Sequence, residues 1–248
     1  MKILNFETIS SIPALYHQGL DLVVISDLHL GLEGGMTSKG SYVPEFQLEE
    51  LLEDLQEIRK RTQASRLLVN GDLKNEFKTS LYSEKKEIKK FIDKSEELFD
   101  ELILIEGNHD TFIESTVEQK GYELKKYFLE NKVLFTHGHI SLEELEIDSE
   151  EYDTIVIGHE HPALELKDDV GVKEKIDCFL YGKNQEEKAL IVMPAFSTIS
   201  NGSGVNKMPS RELLSPILRK TFDKSSLKAL AVSREAGLFE FPEISKIN

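Results

Sequence analysis

Six of the seven histidines in this 248-residue chain stand in short polar clusters. The clusters read Asp27-Leu28-His29, Asn108-His109-Asp110, His137-Gly138-His139 and His159-Glu160-His161, and Asn70-Gly71-Asp72 adds a carboxylate without a histidine. Only His17 stands apart, and it reads as a surface or edge-strand residue. Pooled carboxylate, imidazole and amide donors with no thiolate suit Mn²⁺, iron or Zn²⁺ better than a structural zinc finger or a Ca²⁺ cage. Residues i and i+2 of an extended segment point to the same side. That would let Asp27 and His29 grip one ion, and let His159 and His161 face the same site. Asn108 and His109 are neighbours and should diverge, one toward metal and the other toward substrate.

Each cluster follows a short apolar run: Leu22–Ile25, Leu67–Val69, Leu102–Ile105, Val133–Phe135 and Ile155–Ile157. Such runs, closed by glycine or polar residues, predict buried strands. Sites in open α/β sheets lie at the carboxyl ends of strands, which is where all five clusters fall. Between the strands, Leu48, Leu51, Leu52, Leu55 and Ile58 repeat at helical spacing after Pro44, a candidate first-turn residue. Ile88, Phe91, Ile92 and Phe99 give a second helical stripe, whose Lys85, Lys86, Lys89 and Lys90 read as a solvated face. Leu142–Tyr152 is a weaker helical segment. Tyr122–Phe135 suggests a hairpin turning at Asn131-Lys132, and Tyr16 an edge strand pairing with Leu22–Ile25 across Gly19. The tail holds strand-like runs at Cys178–Tyr181, Ala189–Met193, Leu227–Ser233 and Leu238–Phe241. Because the clusters run from Asp27 to His161, a boundary inside that span would split the site, so one domain over residues 1–248 is expected.

Composition narrows the function. Hydrophobic residues at 40% and charged residues at 30% permit a packed core and argue against global disorder. A net charge of −15 makes the chain a poor generic binder of duplex DNA or anionic membrane. A single cysteine, Cys178, excludes an internal disulfide and any multi-cysteine zinc site. With no bilayer-length apolar stretch and no signal-peptide core, a soluble cytoplasmic protein is expected.

The ordered blocks D-x-H, G-D, G-N-H-D, H and G-H-x-H resemble those of the calcineurin-like metallophosphoesterase superfamily. Here they stand as Asp27-Leu28-His29, Gly71-Asp72, Gly107-Asn108-His109-Asp110, His137 and Gly158-His159-Glu160-His161. The resemblance implies a four-layer α/β/β/α sandwich of two mixed sheets. It also implies two divalent metal ions, with Mn²⁺ favoured over iron or zinc. Asp27, His29, Asp72 and His161 would hold the first, and Asp72, Asn108, His137 and His159 the second. His109, supported by Asp110, matches the catalytic histidine, with His139 as a possible lining residue. A hydroxide shared by the metals would attack phosphorus in line, and His109 would protonate the leaving alkoxide. Two divalent ions outweigh two carboxylates and a hydroxide, so the site would be cationic within an acidic protein and attract phosphate. Asn75 stands where the superfamily often has an acid. The run Gly71-Asp72-Leu73-Lys74-Asn75-Glu76-Phe77, with Met193-Pro194-Ala195-Phe196, resembles the archaeal branch related to the SbcD nuclease. It also resembles bacterial phosphoesterases associated with DNA ligase and helicase genes. That branch implies phosphodiester substrates, DNA or RNA ends or small nucleotides, and a helicase or other DNA-processing partner.

Other classes fit less well. A non-catalytic scaffold of this fold would show lost ligands, and a phosphomonoesterase is the nearer alternative. The H-x-H-x-D-H of metallo-β-lactamase-type hydrolases fails after His139, and His159-Glu160-His161 is not the H-E-x-x-H of zincins. Asn201-Gly202-Ser203-Gly204 reads as a plain loop that could offer N–H groups to phosphate. Lys74 could contact substrate but reads first as a solvated lysine, and Cys178 reads as buried.

Overall fold

The computed structural model describes residues 1–38, 40, 44, 46–167, 171–200 and 202–247. The first sheet takes its strands in chain order: β1 (Lys2–Ile3), β2 (Phe6–Ile9), β3 (Ile12–His17), β4 (Leu22–Ile25), β5 (Arg66–Asn70), β6 (Glu101–Ile105) and β7 (Leu124–Lys125). β1 to β4 pair antiparallel and β4 to β7 parallel. The second sheet is built from β8 (Tyr127–Glu130), β9 (Val133–Thr136), β10 (Thr154–Ile157), β11 (Pro162–Lys167), β12 (Lys173–Lys183), β13 (Ala189–Val192), β14 (Ser203–Gly204), β15 (Lys228–Ser233) and β16 (Gly237–Glu243). Its order is β14-β11-β12-β13-β10-β9-β8, with β15 on β12 and β16 on β15. The helices are α1 (Leu32–Ser38), α2 (Gln47–Thr62), α3 (Tyr82–Leu98), α4 (Glu114–Glu118) and α5 (Pro216–Thr221).

Strand periodicity explains the layers. In β4, Val23 and Ile25 join the core beneath α2 and α3, where Leu51, Leu55, Ile88 and Phe91 are buried. Leu22 and Val24 face the other way, into a core shared with Phe135, Val156, Phe179 and Ile191 of the second sheet. The outer face of the second sheet carries a third core with Ile217 and Leu218 of α5. Both faces of the central strands are therefore dry, which is why they read as unbroken apolar runs. The result is the expected four-layer α/β/β/α sandwich of two mixed sheets. Among the described residues, no helix is long and apolar enough to cross a membrane.

The five strands preceding the clusters, the two helices and the tail strands form where the pattern predicts. Asn131 and Lys132 adopt φ of 46° and 62° at the β8–β9 hairpin, the left-handed pair that a two-residue turn requires. Four local expectations are corrected. Pro44 is outside α2, because the Glu33 carboxylate caps the free N–H groups of Phe46 and Gln47 at 3.0 and 3.1 Å. Leu142–Tyr152 is not a helix. Ser141 and Glu144 close a single turn, Glu146 at φ 56° ends it, and only a short 3-10 turn follows at Ser149–Glu151. Tyr16 does pair with Val23, but β1 and β2 lie outside β3, so its strand is not the edge. Lys74 is fully buried rather than solvated, its Nζ donating to the carbonyls of Glu76 and Thr79. Cys178 is buried as expected. Asn201 lies outside the described residues; Ser203–Gly204 is the short strand β14, whose Ser203 N–H donates to the His161 carbonyl at 2.7 Å.

Candidate metal centre

The ligand clusters lie just past the strand ends, and their backbone is not extended. Asp27, His29, Asp72, His159 and His161 have φ between 42° and 63°. The left-handed region costs a non-glycine residue about 1–2 kcal/mol, so this conformation must be imposed from outside. Backbone hydrogen bonds do so by continuing the ladders beyond the strands. Asp27 N–H donates to Gly71 O and His29 N–H to Asp72 O, each at 3.0 Å. Gly158 N–H donates to His137 O at 3.0 Å, and Phe196 N–H to Ser26 O at 2.7 Å. The Met193–Phe196 segment thus crosses from the second sheet to brace the end of β4. Asp27 and His29 share one side as expected, but through this turn rather than through strand alternation. The same geometry separates His159 from His161.

Two donor groups result. Asp27, His29, Asp72 and His161 each bring a ligand atom within 4.8 Å of the others, and so do Asp72, His137 and His159. Asp72 is common to both. Asn108 faces the second group, its Oδ1 lying 3.2 Å from His137 Nε2. Glycines permit this convergence. A Cβ on Gly107 would lie 2.1 Å from Asp72 Oδ1, and one on Gly158 would lie 2.4 Å from Asp27 Oδ2 and 1.9 Å from Ser26 Oγ.

The donor chemistry fits cations. His137 Nδ1 is 3.0 Å from the Asn70 carbonyl, which must accept its proton. That leaves Nε2 aimed at two acceptors, Asp72 Oδ2 at 3.4 Å and Asn108 Oδ1 at 3.2 Å. His29 Nε2 and His161 Nε2 face each other at 3.2 Å, beside Asp27 Oδ1 at 3.0 Å from His161. Lone pairs so directed need a proton or a metal between them. Without metal, protons fill that role. Burial opposes ionisation of Asp27, yet His161 and His137 hold its carboxyl below the usual range. Asp72 is likewise held well down by His137, His29 and His109 against the cost of burial. Burial would lower His137, but Asp72 and Asp27 carry it up to about 10. Burial keeps His29 down at about 4. Burial and the neighbouring His137 bring His159 down to about 3.

His109 sits over the centre. Its backbone N–H donates to Asp72 Oδ1 at 2.9 Å, and its Nε2 is 3.9 Å from Asp72 Oδ2. Asp110, expected to support its imidazole, points elsewhere. The Asp110 carboxylate accepts from the N–H groups of Gly107, Leu73 and Lys74 at 2.8, 2.8 and 3.2 Å. It ties the turn after β6 to the turn after β5. Burial and the nearby Asp72 raise it to about 7, against the pull of its N–H donors. The partner of the imidazole is the Asn75 carbonyl, 2.5 Å from Nδ1. His139 lies in neither donor group; its ring centroid is 5.2 Å from that of His137 and 6.1 Å from that of His159.

The sequence profile of the calcineurin-like phosphoesterase family matches residues 20–177, a span that holds every residue of both donor groups. The chain belongs to the calcineurin-like phosphoesterase family. Among solved structures it is similar to the nuclease MPE of Pseudomonas putida, with a TM-score of 0.62 and 15% identity over 93% of this chain and 92% of that one. It is also similar to Yfce, a phosphoesterase from E. coli, with a TM-score of 0.41 and 17% identity over 90% of this chain and 98% of that one. At 15% identity the likeness to the Pseudomonas nuclease is one of fold. A comparison with curated proteins gives no match. Family membership implies a hydrolase of a divalent-metal-binding family, and the two donor groups are the candidate ligands.

Two supporting residues escaped the sequence reading. Asn70 donates from Nδ2 to Thr136 O at 3.0 Å and Val156 O at 3.2 Å, stapling the ligand-bearing ends of the two sheets together. Ser26 donates to Asp27 Oδ2 at 2.6 Å. The available signal was a polar side chain closing an otherwise apolar strand.

Proposed function

We propose that the chain is a dinuclear-metal phosphodiesterase acting on nucleic-acid ends, single strands or small nucleotides. The observation that carries this reading is Asp72, a single buried carboxylate belonging to two donor groups with His109 above it. Asp27, His29, Asp72 and His161 would hold one ion, and Asp72, Asn108, His137 and His159 the other, with Mn²⁺ the favoured metal. When bound, such ions supply Lewis acidity, acidifying water and neutralising phosphoryl oxygens. The chain supplies the rest. With Nδ1 engaged by the Asn75 carbonyl, proton exchange by His109 runs through Nε2, on the side of the centre, where it protonates the leaving oxygen. Asp110 acts on position rather than charge, locking the turn that carries Asn108 and His109. Asn70 fixes the His137 tautomer, the usual outer partner of a ligating imidazole.

Diesters are favoured over monoesters by the Gly71–Phe77 resemblance to DNA-processing phosphoesterases, and the Pseudomonas fold neighbour is itself a nuclease. The net charge of −15 disfavours extended duplex, so a helicase or other DNA-processing partner would supply basic surface where one is needed. The test offers Mn²⁺-loaded protein linear single strands, blunt duplex, closed circular duplex, 2′,3′-cyclic nucleotides and a phosphomonoester. Cleavage of strands, ends or cyclic nucleotides is expected. Efficient nicking of closed circles, or preference for the monoester, would contradict the proposal.

A further inference from the structure

Two exposed phenylalanines, Phe77 against His109 and Phe112 three residues further along the chain than His109, belong to none of the three cores. Phe77 is 49% exposed and Phe112 is 62% exposed. The Phe77 ring meets the His109 ring edge-on, with centroids 5.5 Å apart. Thr111 Oγ1 donates to the Phe77 carbonyl at 2.7 Å, joining the loop that carries Phe77 to the loop that carries Phe112. Phe112 holds φ at 66°, an outlier for a bulky residue. Leaving a large aromatic in water forgoes much of its burial energy, and neither residue joins a core. Lys78, also exposed, follows Phe77. Aromatic faces beside a cation are the usual means of holding single-stranded nucleic acid, because every base offers a face to stack.

We infer that Phe77 and Phe112 form a stacking platform for the base of the leaving nucleoside. The inference rests on the phosphodiesterase reading: His109 protonates the leaving oxygen, so the ring packed on His109 lies on the leaving side. The platform would favour a nucleoside over an alkyl leaving group and would be indifferent to which base it carries.

Dinucleoside monophosphates, which have one diester bond, test this. The intact compound is compared with versions lacking the base on one nucleoside or the other, and the products identify the leaving nucleoside. With Mn²⁺-loaded wild type, removing the leaving base should lower kcat/KM by about 5- to 150-fold, the range for one aromatic–base stack. Phe112→Ala should lose a similar factor on the intact compound and nothing further on the abasic one. Binding of a fluorescent single strand in EDTA, read by anisotropy, should weaken in Phe112→Ala without any turnover. Equal rates for intact and abasic compounds with wild type, or equal losses on both in Phe112→Ala, would overturn the platform while leaving the hydrolysis reading intact. Failure of wild type to cleave any diester would instead remove the reading on which the platform rests.

Discussion

Metal should stabilise this fold in two separable increments. The perturbation is Mn²⁺ added to chelated protein at about a hundredfold excess over each dissociation constant. Each independent ion then contributes about 2.7 kcal/mol. For a chain of this size, 1 kcal/mol moves Tm by about 2–4 °C. One ion is therefore worth about 5–10 °C and two about 10–20 °C. The structure divides these increments by residue. His159 belongs only to the second group, so His159→Ala should retain about one increment. His29 belongs only to the first, so His29→Ala should also retain about one. Asp72 belongs to both, so Asp72→Asn should fall below either. Differential scanning fluorimetry of the four proteins, each with and without Mn²⁺, gives the comparison. An Asp72→Asn shift equal to that of wild type, or no shift in wild type, would refute the shared-carboxylate arrangement.

Two further outcomes follow from the geometry. His109→Ala should keep both metals by elemental analysis and lose on the order of 10²–10⁴ in rate, with a smaller loss for p-nitrophenolate than for an alkoxide leaving group; equal losses would remove His109 from the acid role. His17 accepts from Leu20 N–H at 3.1 Å through Nδ1, and burial lowers its pKa from 6.5. Its contribution to stability is therefore complete above pH 6.5 and declines as pH falls below that value, because the unfolded chain takes up the proton first; an NMR titration midpoint at or above 6.5 would contradict this.

The strands and the residues that gather past their ends were legible because both follow local rules. Leu22–Ile25 and its four counterparts are apolar because both their faces are covered, and each ends in polar residues because the ligands lie beyond the ladder. What was hidden depends on backbone conformation. The resemblance implied that Asp110 supports His109, yet the turn after β6 sends the carboxylate to three N–H groups and brings the Asn75 carbonyl to the imidazole. A carbonyl leaves no trace in residue type. The resemblance assigned His161 and His159 to different ions and they fall in different donor groups, but the left-handed turns that part them leave no mark in residue type. Lys74 read as solvated because lysine usually is, whereas here it ties down the loop behind Asn75 through two carbonyls.

The central claim is that two ions sharing Asp72 drive diester hydrolysis. The most direct measurement is the rate of bis(p-nitrophenyl) phosphate hydrolysis against Mn²⁺ equivalents added back to exhaustively chelated protein, for wild type and Asp72→Asn. The account predicts no activity after chelation, a rise that requires the second equivalent, weaker restoration by Mg²⁺, and neither full occupancy nor activity in Asp72→Asn. Full activity after chelation, or two ions retained by Asp72→Asn, would contradict it.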